Sequence, residues 1–339
     1  MTEQLENDYD VVVAGGGAAG LNGALMLARS RRRVVVIDAG QPRNAPADAV
    51  HGLLARDGTP PAELLETGRA EVRRYGGQVV SGRIIAAVRD GAGFAITLAD
   101  GRAVRARRLL VTTGLTDELP DIPGLRERWG RDVLHCPYCH GWEVRDRAIA
   151  VLSRGPVSMH QVQLFRQLSD DVVYFTHDQP DPTPDAAERL AARGVRVVSG
   201  KVTGIETTDD RITGIRLADG TVVARDAIAV GTHMVARSEF LDSLGLVAIE
   251  HPGGFGRYLP SDATGRTEVP GVWAAGNVTD LPAQVGAAAA AGATAGAQIN
   301  ADLVEEEFDI AVATHRAGFT AAGEAELAES VNGSRGHGL

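Results

Sequence analysis

Tyr9-Asp10-Val11-Val12-Val13-Ala14-Gly15-Gly16-Gly17-Ala18-Ala19-Gly20 is an apolar run that closes on a glycine turn. Leu21 to Ala28 continues as an alanine- and leucine-rich helical stretch. Arg33-Val34-Val35-Val36-Ile37-Asp38 follows as a second buried strand ending in an acid. Strand, glycine turn, helix, strand and acid in that order predict the βαβ unit that binds a dinucleotide. Gly15 permits the tight turn, Gly17 lets backbone approach a pyrophosphate, and Gly20 lets helix and sheet pack closely. Ala18 and Ala19 open the helix, whose N-terminus faces the phosphates. Asp38, close to the expected ~20 residues onward, is placed to hold a ribose hydroxyl. Arg43 and Asn44, just beyond it, are candidate contacts to adenosine.

Two later segments fit the same unit. Leu109-Leu110-Val111-Thr112-Thr113-Gly114 is a buried strand closing on a glycine, which brings in Thr113 and Gly114. Val272-Trp273-Ala274-Ala275-Gly276-Asn277 is a second such strand, which brings in Gly276 and Asn277. Gln284 and Val285 lead into a small-residue helix, Gly286 to Ala297, whose N-terminus can meet the cofactor. Between these halves lie further strands at Ala148–Leu152, Val172–Phe175, Val195–Val198 and Ala227–Gly231. Asp100-Gly101 and Asp219-Gly220 mark hairpin turns in corresponding places of the two units. The expected fold is α/β, with two Rossmann-like, three-layer ββα domains, one inserted into the other. Residues 1–117 and 245–320 form the outer cofactor domain, 118–244 the inserted domain, and 321–339 a tail. The tail region reads as acidic from about Asp302, with one more helix near Thr320 to Ser330 and a frayed end.

The chain has two cysteines, and both lie in Cys136-Pro137-Tyr138-Cys139-His140. A Cys-x-x-Cys pair brings two sulfurs close enough to form and break a disulfide. No metal site is expected. His135 and His140 are each directly adjacent to a cysteine, and no second Cys-x-x-Cys supplies the other half of a zinc tetrahedron. So small a loop constrains the unfolded chain little, so the pair reads as redox-active rather than structural. A dinucleotide site together with one isolated dithiol points to a flavoenzyme passing two electrons between FAD and a disulfide.

At 339 residues the chain is long enough for two domains. A formal net charge of −10 opposes nonspecific binding to nucleic acid or an anionic membrane. The dense basic run Arg29-Ser30-Arg31-Arg32-Arg33 reads as a solvated helix C-terminus, favoured by the dipole. Met1 to Asp10 has neither the basic nor the apolar region of a signal peptide, and no run of about 18 apolar residues exists. A cytoplasmic protein is expected, where a lone dithiol serves catalysis.

On the fingerprint with Asp38, Thr112-Thr113-Gly114, the inserted Cys136-x-x-Cys139 and Ala274-Ala275-Gly276-Asn277, the chain resembles the low-molecular-weight thioredoxin reductase family. The resemblance implies bound FAD and a homodimer. It implies Cys139 as the flavin-proximal, charge-transfer sulfur and Cys136 as the sulfur that exchanges with substrate. That family usually has an acid after the second cysteine, where this chain has His140. A larger departure lies in the nicotinamide turn, which here reads Ser153-Arg154-Gly155-Pro156-Val157-Ser158. Two of three glycine positions are serine, and Pro156 removes a backbone N–H. His177-Asp178-Gln179-Pro180-Asp181 stands where NADPH enzymes offer arginines. These features argue against NAD(P)H. Together with Cys-Pro-Tyr-Cys-His-Gly they make the chain similar to the dithiol oxidases that close the disulfides of holomycin, gliotoxin and romidepsin. That likeness implies a small-molecule dithiol substrate, with oxygen as acceptor and hydrogen peroxide as product. A ferredoxin-linked disulfide reductase, an NAD(P)H-dependent reductase with thioredoxin as partner, and a flavin-bearing redox sensor stand as alternatives.

The catalytic candidates are Cys136, Cys139 and His140. With an ordinary pKa near 6.5, His140 can take a thiol proton at neutral pH. His135 reads as a spacer and stays secondary; His51, in a loop of the outer domain, is within reach of the isoalloxazine or substrate but reads first as a loop histidine. Asn277 replaces an aspartate and can still hydrogen-bond the ribityl chain or a phosphate-linked water.

Overall fold

Strands Asp8–Ala14 and Val34–Asp38 lie parallel, with Val11 opposite Val34 and Ala14 opposite Ile37. The computed structural model describes residues 5–155, 157–318 and 323. Among these the α-helices are α1 (Ala18–Arg29), α2 (Pro61–Arg74), α3 (Pro137–His140), α4 (Val157–Phe165), α5 (Pro184–Ala192) and α6 (Val285–Gly318). Pro156, the expected helix near 320–330 and the glycine-rich end fall outside the described residues, apart from Gly323.

The first sheet runs in the order Gln78–Ser81, Val34–Asp38, Asp8–Ala14, Ala103–Val111, Gly93–Leu98, Ile84–Asp90, and Val272–Ala274 pairs with Ala103–Val111. Val11, Val13, Leu110 and Trp273 face one way and pack under Leu21, Leu27, Ala295 and Ile299 of α1 and α6. Val12, Val35, Leu109 and Val272 face the other way, against Phe94, Ile96 and Leu241. Strands buried on both faces read as unbroken apolar runs, which explains why this unit was visible in the sequence.

The second sheet is parallel throughout, in the order Arg196–Val198, Val172–Phe175, Ile149–Leu152, Ala227–Val230, Val133–Leu134. Val162, Phe165 and Leu190 of α4 and α5 cover one face, and Ile212, Ile215 and Leu217 of an antiparallel ribbon cover the other. The protein therefore has the expected α/β fold with two Rossmann-like sheets. The turns Asp100-Gly101 and Asp219-Gly220 both connect antiparallel strands, Gly93–Leu98 to Ala103–Val111 and Arg211–Leu217 to Val222–Val223.

A small sheet unseen in the sequence joins the two units. Leu115–Glu118 runs antiparallel to His233–Ala236, which pairs in turn with Gly256–Tyr258. Strand His233–Ala236 lies in the stretch 118–244, yet it pairs with strands on either side of that stretch.

Helix α6 continues well past Ala297 and past Asp302, where the sequence reads as the start of an acidic tail. Its acids have partners. Asp302 accepts from Arg108 at 2.6 Å, Glu306 from Arg107 at 2.6 Å, and Glu307 from Arg32 at 2.5 Å and Arg107 at 2.8 Å. Hydrogen bonds from Arg32 and Arg107 hold the Glu307 carboxyl down to about 2. Arg32 thus belongs to an ion-pair network and not to a solvated helix end.

Helices α1 and α6 cross at glycines. A Cβ on Gly292 would run into the Ala19 carbonyl and lie 2.8 Å from the Ala19 Cα, so no side chain fits between the two backbones. Gly292→Ala should therefore force the helices apart and cost about 1–3 kcal/mol. Urea denaturation checks this: a lowered midpoint at unchanged slope is expected, and an unchanged midpoint would show that the crossing has slack.

Candidate active site

A cavity of about 860 Å³ runs from Gly15–Ala19 in the outer unit to Cys136–His140 in the inserted one. At its first end, Gly15 has φ +104°, and a Cβ there would sit 2.5 Å from the Thr112 carbonyl oxygen. Gly17 is the N-cap of α1, has no side-chain cap, and would project a Cβ into open space. A Cβ on Gly20 would collide with the Gly15 carbonyl, so the helix sits hard against its turn. The first N–H groups of α1 have no intrahelical acceptor. A cradle of bare backbone at a helix N-terminus fits a pyrophosphate. Asp38 also lines the cavity, accepting from Gly40 N–H at 3.2 Å and from Arg69 at 3.1 Å. This donor set fits the dinucleotide end of FAD: Gly15, Gly17, Ala18, Ala19 and Asp38 line the cavity and would hold it, whereas Gly20 does not line it and packs the helix against its own turn.

Thr113, Gly114, Gly276, Asn277, Gln284 and Val285 line the same cavity. Thr112 Oγ1 donates to the carbonyls of Ala14 and Gly15, both at 2.9 Å, and Thr113 Oγ1 to the Arg237 carbonyl at 2.6 Å. Two of these candidate residues also hold the protein's own loops. The amide nitrogen of Asn277 donates to the carbonyls of Asp280, Leu281 and Ala283 at 2.8–3.2 Å, so its NH₂ pins a loop while the residue lines the cavity. Arg43 lines the cavity beside Asn44, but it donates to both oxygens of Asp117 at 2.6 and 2.7 Å. Burial works against ionisation of Asp117, but Arg43 and the Thr232 hydroxyl outweigh it and hold the carboxyl below its usual range.

At the other end, Cys136 and Cys139 form a disulfide with Cα atoms 5.3 Å apart. Cys136 is the N-cap of α3, Pro137 opens the helix, and Cys136 Sγ accepts from Cys139 N–H at 3.2 Å. A donor aimed at that sulfur favours its thiolate once the bond is reduced. Both sulfurs therefore sit on the wall of the cavity that holds the glycine cradle, although more than a hundred residues separate the two motifs.

Four histidines line the cavity, His51, His135, His140 and His160. Burial pushes His140 below its ordinary value, His51 adds to the effect, and Glu143 and Asp48 oppose it. The Nε2 of His140 is buried with no hydrogen-bond partner among the described residues. An orphaned nitrogen on this wall is a group that a bound flavin or substrate would satisfy. His51 stands edge-on to His140 with ring centroids 6.3 Å apart, and its Nε2 lies 3.4 Å from Glu143. His135, against the Val230 carbonyl at 3.4 Å, is also lowered, by burial first and by Arg43 second.

Several lining residues carried no sequence signal. Arg237, held by Thr116 Oγ1 and the Gln41 carbonyl, and Phe240 both face the outer part of the cavity. Val157, His160, Gln161 and Leu164 of α4 face the disulfide end. Their helical spacing is visible in the sequence, but the side they present to the dithiol is set by the tertiary fold.

Residues 9–292 match the pyridine nucleotide-disulphide oxidoreductase family. The thioredoxin reductase tcpT of Claviceps purpurea is 31% identical over 312 residues, spanning 88% of this chain and 96% of that protein. The thioredoxin reductase sirT of Leptosphaeria maculans is 28% identical over 309 residues, spanning 86% and 93%. The crystal structure of HlmI has a TM-score of 0.87 at 45% identity, covering 94% of this chain and all of that one.

The depressed histidines set a pH dependence of stability. His135, His140 and His177 are all lowered, each mainly by burial. An unfolded histidine titrates near 6.5, so just below that pH the unfolded chain binds more protons than the folded one. Their contribution is complete above about pH 6.5 and is lost as pH falls through the lowered values. The urea midpoint should fall between pH 7.5 and 5.5, before the depressed carboxylates titrate; a midpoint that rises over this window would contradict the burial. Gly17→Val should fill the cradle and yield protein that does not retain FAD, checked by the flavin spectrum after desalting.

Proposed function

We propose that this chain, which belongs to the pyridine nucleotide-disulphide oxidoreductase family, runs its disulfide chemistry in the oxidative direction and closes a disulfide in a small-molecule dithiol. It is an FAD-dependent, thioredoxin reductase-like enzyme, and the open question is what exchanges electrons with it. One observation carries the oxidase reading. In the turn after Ile149–Leu152, the Arg154 N–H donates to Ser158 Oγ at 2.8 Å, and the Gly155 N–H makes a long bond to Ser153 Oγ at 3.4 Å. Tyr174 Oη anchors Ser153 Oγ at 2.7 Å. The donors that would meet a nicotinamide pyrophosphate are taken by the chain's own hydroxyls. Beyond the next strand, where arginines would meet a 2′-phosphate, Asp178 lies 3.0 Å from His177 and 3.9 Å from Lys201, and Asp181 accepts from Ser199 Oγ at 2.6 Å. The dithiol and the flavin cradle meanwhile share one cavity.

The residues divide the chemistry as follows. A substrate thiolate attacks Cys136 Sγ, the Cys136–Cys139 bond breaks, and Cys139 leaves as thiolate. The second substrate thiol displaces Cys136, so the substrate departs as a disulfide and the enzyme keeps both electrons. Cys139 N–H steadies the sulfur of Cys136. The neutral His140 ring accepts the proton of an incoming thiol. When bound, FAD supplies the two-electron acceptor that oxygen restores, with hydrogen peroxide released. The sum is one dithiol and one oxygen to one disulfide and one peroxide.

A thioredoxin-disulfide reductase is the second reading, favoured by the names of the curated relatives. No described helix is long and apolar enough to cross a membrane. We place the enzyme in the cytoplasm as a homodimer.

With dithiothreitol in air, oxygen uptake and peroxide release should match mole for mole in an oxygen-electrode assay. Cys136→Ser and Cys139→Ser should each abolish uptake while keeping FAD; uptake that survives in either would remove the disulfide from the path. His140→Ala should slow the dithiol step by about 10²-fold or more. Because burial lowers the pKa of His140, wild-type rates should lose activity only below about pH 6.5. His140→Ala should lack that acid limb, and a limb that persists would reduce the residue to packing.

A further inference from the structure

His51 reaches from the outer unit to the redox motif of the inserted one. Its loop is closed by the Val50–Thr59 bridge and by the Gly52 N–H, which donates to Asp57 Oδ1 at 2.9 Å. That closure leaves the imidazole between two carboxylates. Nδ1 lies 3.4 Å from Asp57, and Nε2 lies 3.4 Å from Glu143 in the turn that follows His140. The His140 ring stands edge-on at 6.3 Å between centroids, a gap that one water can bridge. Both rings line the cavity, whereas Glu143 and Asp57 lie outside its lining, with side chains 39% and 68% exposed. The groups therefore run in order from the disulfide to solvent: His140, His51, then Glu143 and Asp57.

The exchange chemistry needs such a route. One dithiol and the Cys136–Cys139 bond give one substrate disulfide, two enzyme thiolates and two protons. A neutral imidazole takes one proton. Burial disfavours a charged ring at His140 and a charge on His51 disfavours it further, while Glu143 and Asp48 offset this only in part. The first proton must therefore leave His140 before that ring can deprotonate the second thiol.

We propose that His51 is the positioning residue that relays these protons, taking each from His140 and passing it to Glu143 and Asp57 at the surface. An imidazolium at His51 faces a carboxylate beside each nitrogen, and charge-assisted hydrogen bonds receive it. His51 acts through His140 and not on the substrate. The proposal rests on the oxidase reading above, in which oxygen takes both protons back as hydrogen peroxide, so that the turnover balances.

Anaerobic stopped-flow reduction of the holoenzyme by dithiothreitol, followed at the flavin band, gives the test. His51→Gln keeps a hydrogen-bonding amide but has no nitrogen to carry the proton. It should retain FAD, be reduced about tenfold more slowly or worse, and regain rate as imidazole is added, because a diffusible base replaces the relay. The wild-type rate should not respond to imidazole. His51→Gln at the wild-type rate overturns the relay, and so does a slow variant that imidazole does not speed, since lost packing is not restored by a base. Glu143→Gln combined with Asp57→Asn keeps both rings and an acceptor for the Gly52 N–H, and it should slow in the same way; wild-type rates there overturn the route to the surface. Admitted air separates the two ideas. If imidazole rescues His51→Gln but oxygen neither restores the flavin band nor yields peroxide, the oxidase reading falls and the relay, which concerns only the exchange with thiol, stands.

Discussion

Asp117 stands in the first of the two strands that carry the chain between the sheets. Its carboxylate accepts both arms of Arg43 and the hydroxyl of Thr232, just ahead of the second strand. Its side chain is 5% exposed, so the pair is largely desolvated on the acid's side. Removing one partner of such a pair costs about 3–5 kcal/mol, because the other is left charged and buried. Arg43 comes from the loop after Asp38 and also reaches toward the Leu281 carbonyl. One guanidinium therefore ties the cofactor loop, both interdomain crossings and the approach to α6. His51 and Glu143 make a second link across the cavity. The position of the disulfide relative to the glycine cradle follows from these contacts, since the inserted unit is joined to the outer one by the two crossings.

What could be read from the sequence was what sequence neighbours settle among themselves. Gly15 to Asp38 spells out a turn, a helix and two strands within one short segment, and the parallel strands lie where their apolar runs predict. The disulfide and the cradle were legible as separate motifs. Contacts between distant residues were not. Arg43 lies far in sequence from Asp117 and Thr232, and the local pattern, which predicts an adenosine contact, gives no sign of the ion pair. Glu307 ends up beside Arg32, which turns a predicted tail into more helix. Asn277 folds back on its own loop because three carbonyls converge on its amide, an arrangement that composition cannot foresee. The cavity face of α4 is of the same kind.

The proposed oxidative direction rests on two local departures in polar groups from the thioredoxin reductase pattern. Serines at positions 153 and 158 supply hydroxyls to N–H groups that an incoming pyrophosphate would need, so binding there must first break bonds the chain already makes. A histidine after the second cysteine replaces a carboxylate with a ring whose free-base form burial favours. An acid at that place suits giving a proton to a departing thiol, and a neutral imidazole suits taking one from an arriving thiol. Both changes support the proposed direction of electron flow.

Anaerobic stopped-flow mixing of oxidised holoenzyme with NADPH and, separately, with dithiothreitol measures that direction at its source. Dithiol should bleach the flavin band rapidly, NADPH should leave it nearly unchanged, and admitted air should restore it with peroxide. Rapid bleaching by NADPH, with thioredoxin rather than oxygen reoxidising the enzyme, would contradict the oxidase and make the protein a thioredoxin reductase.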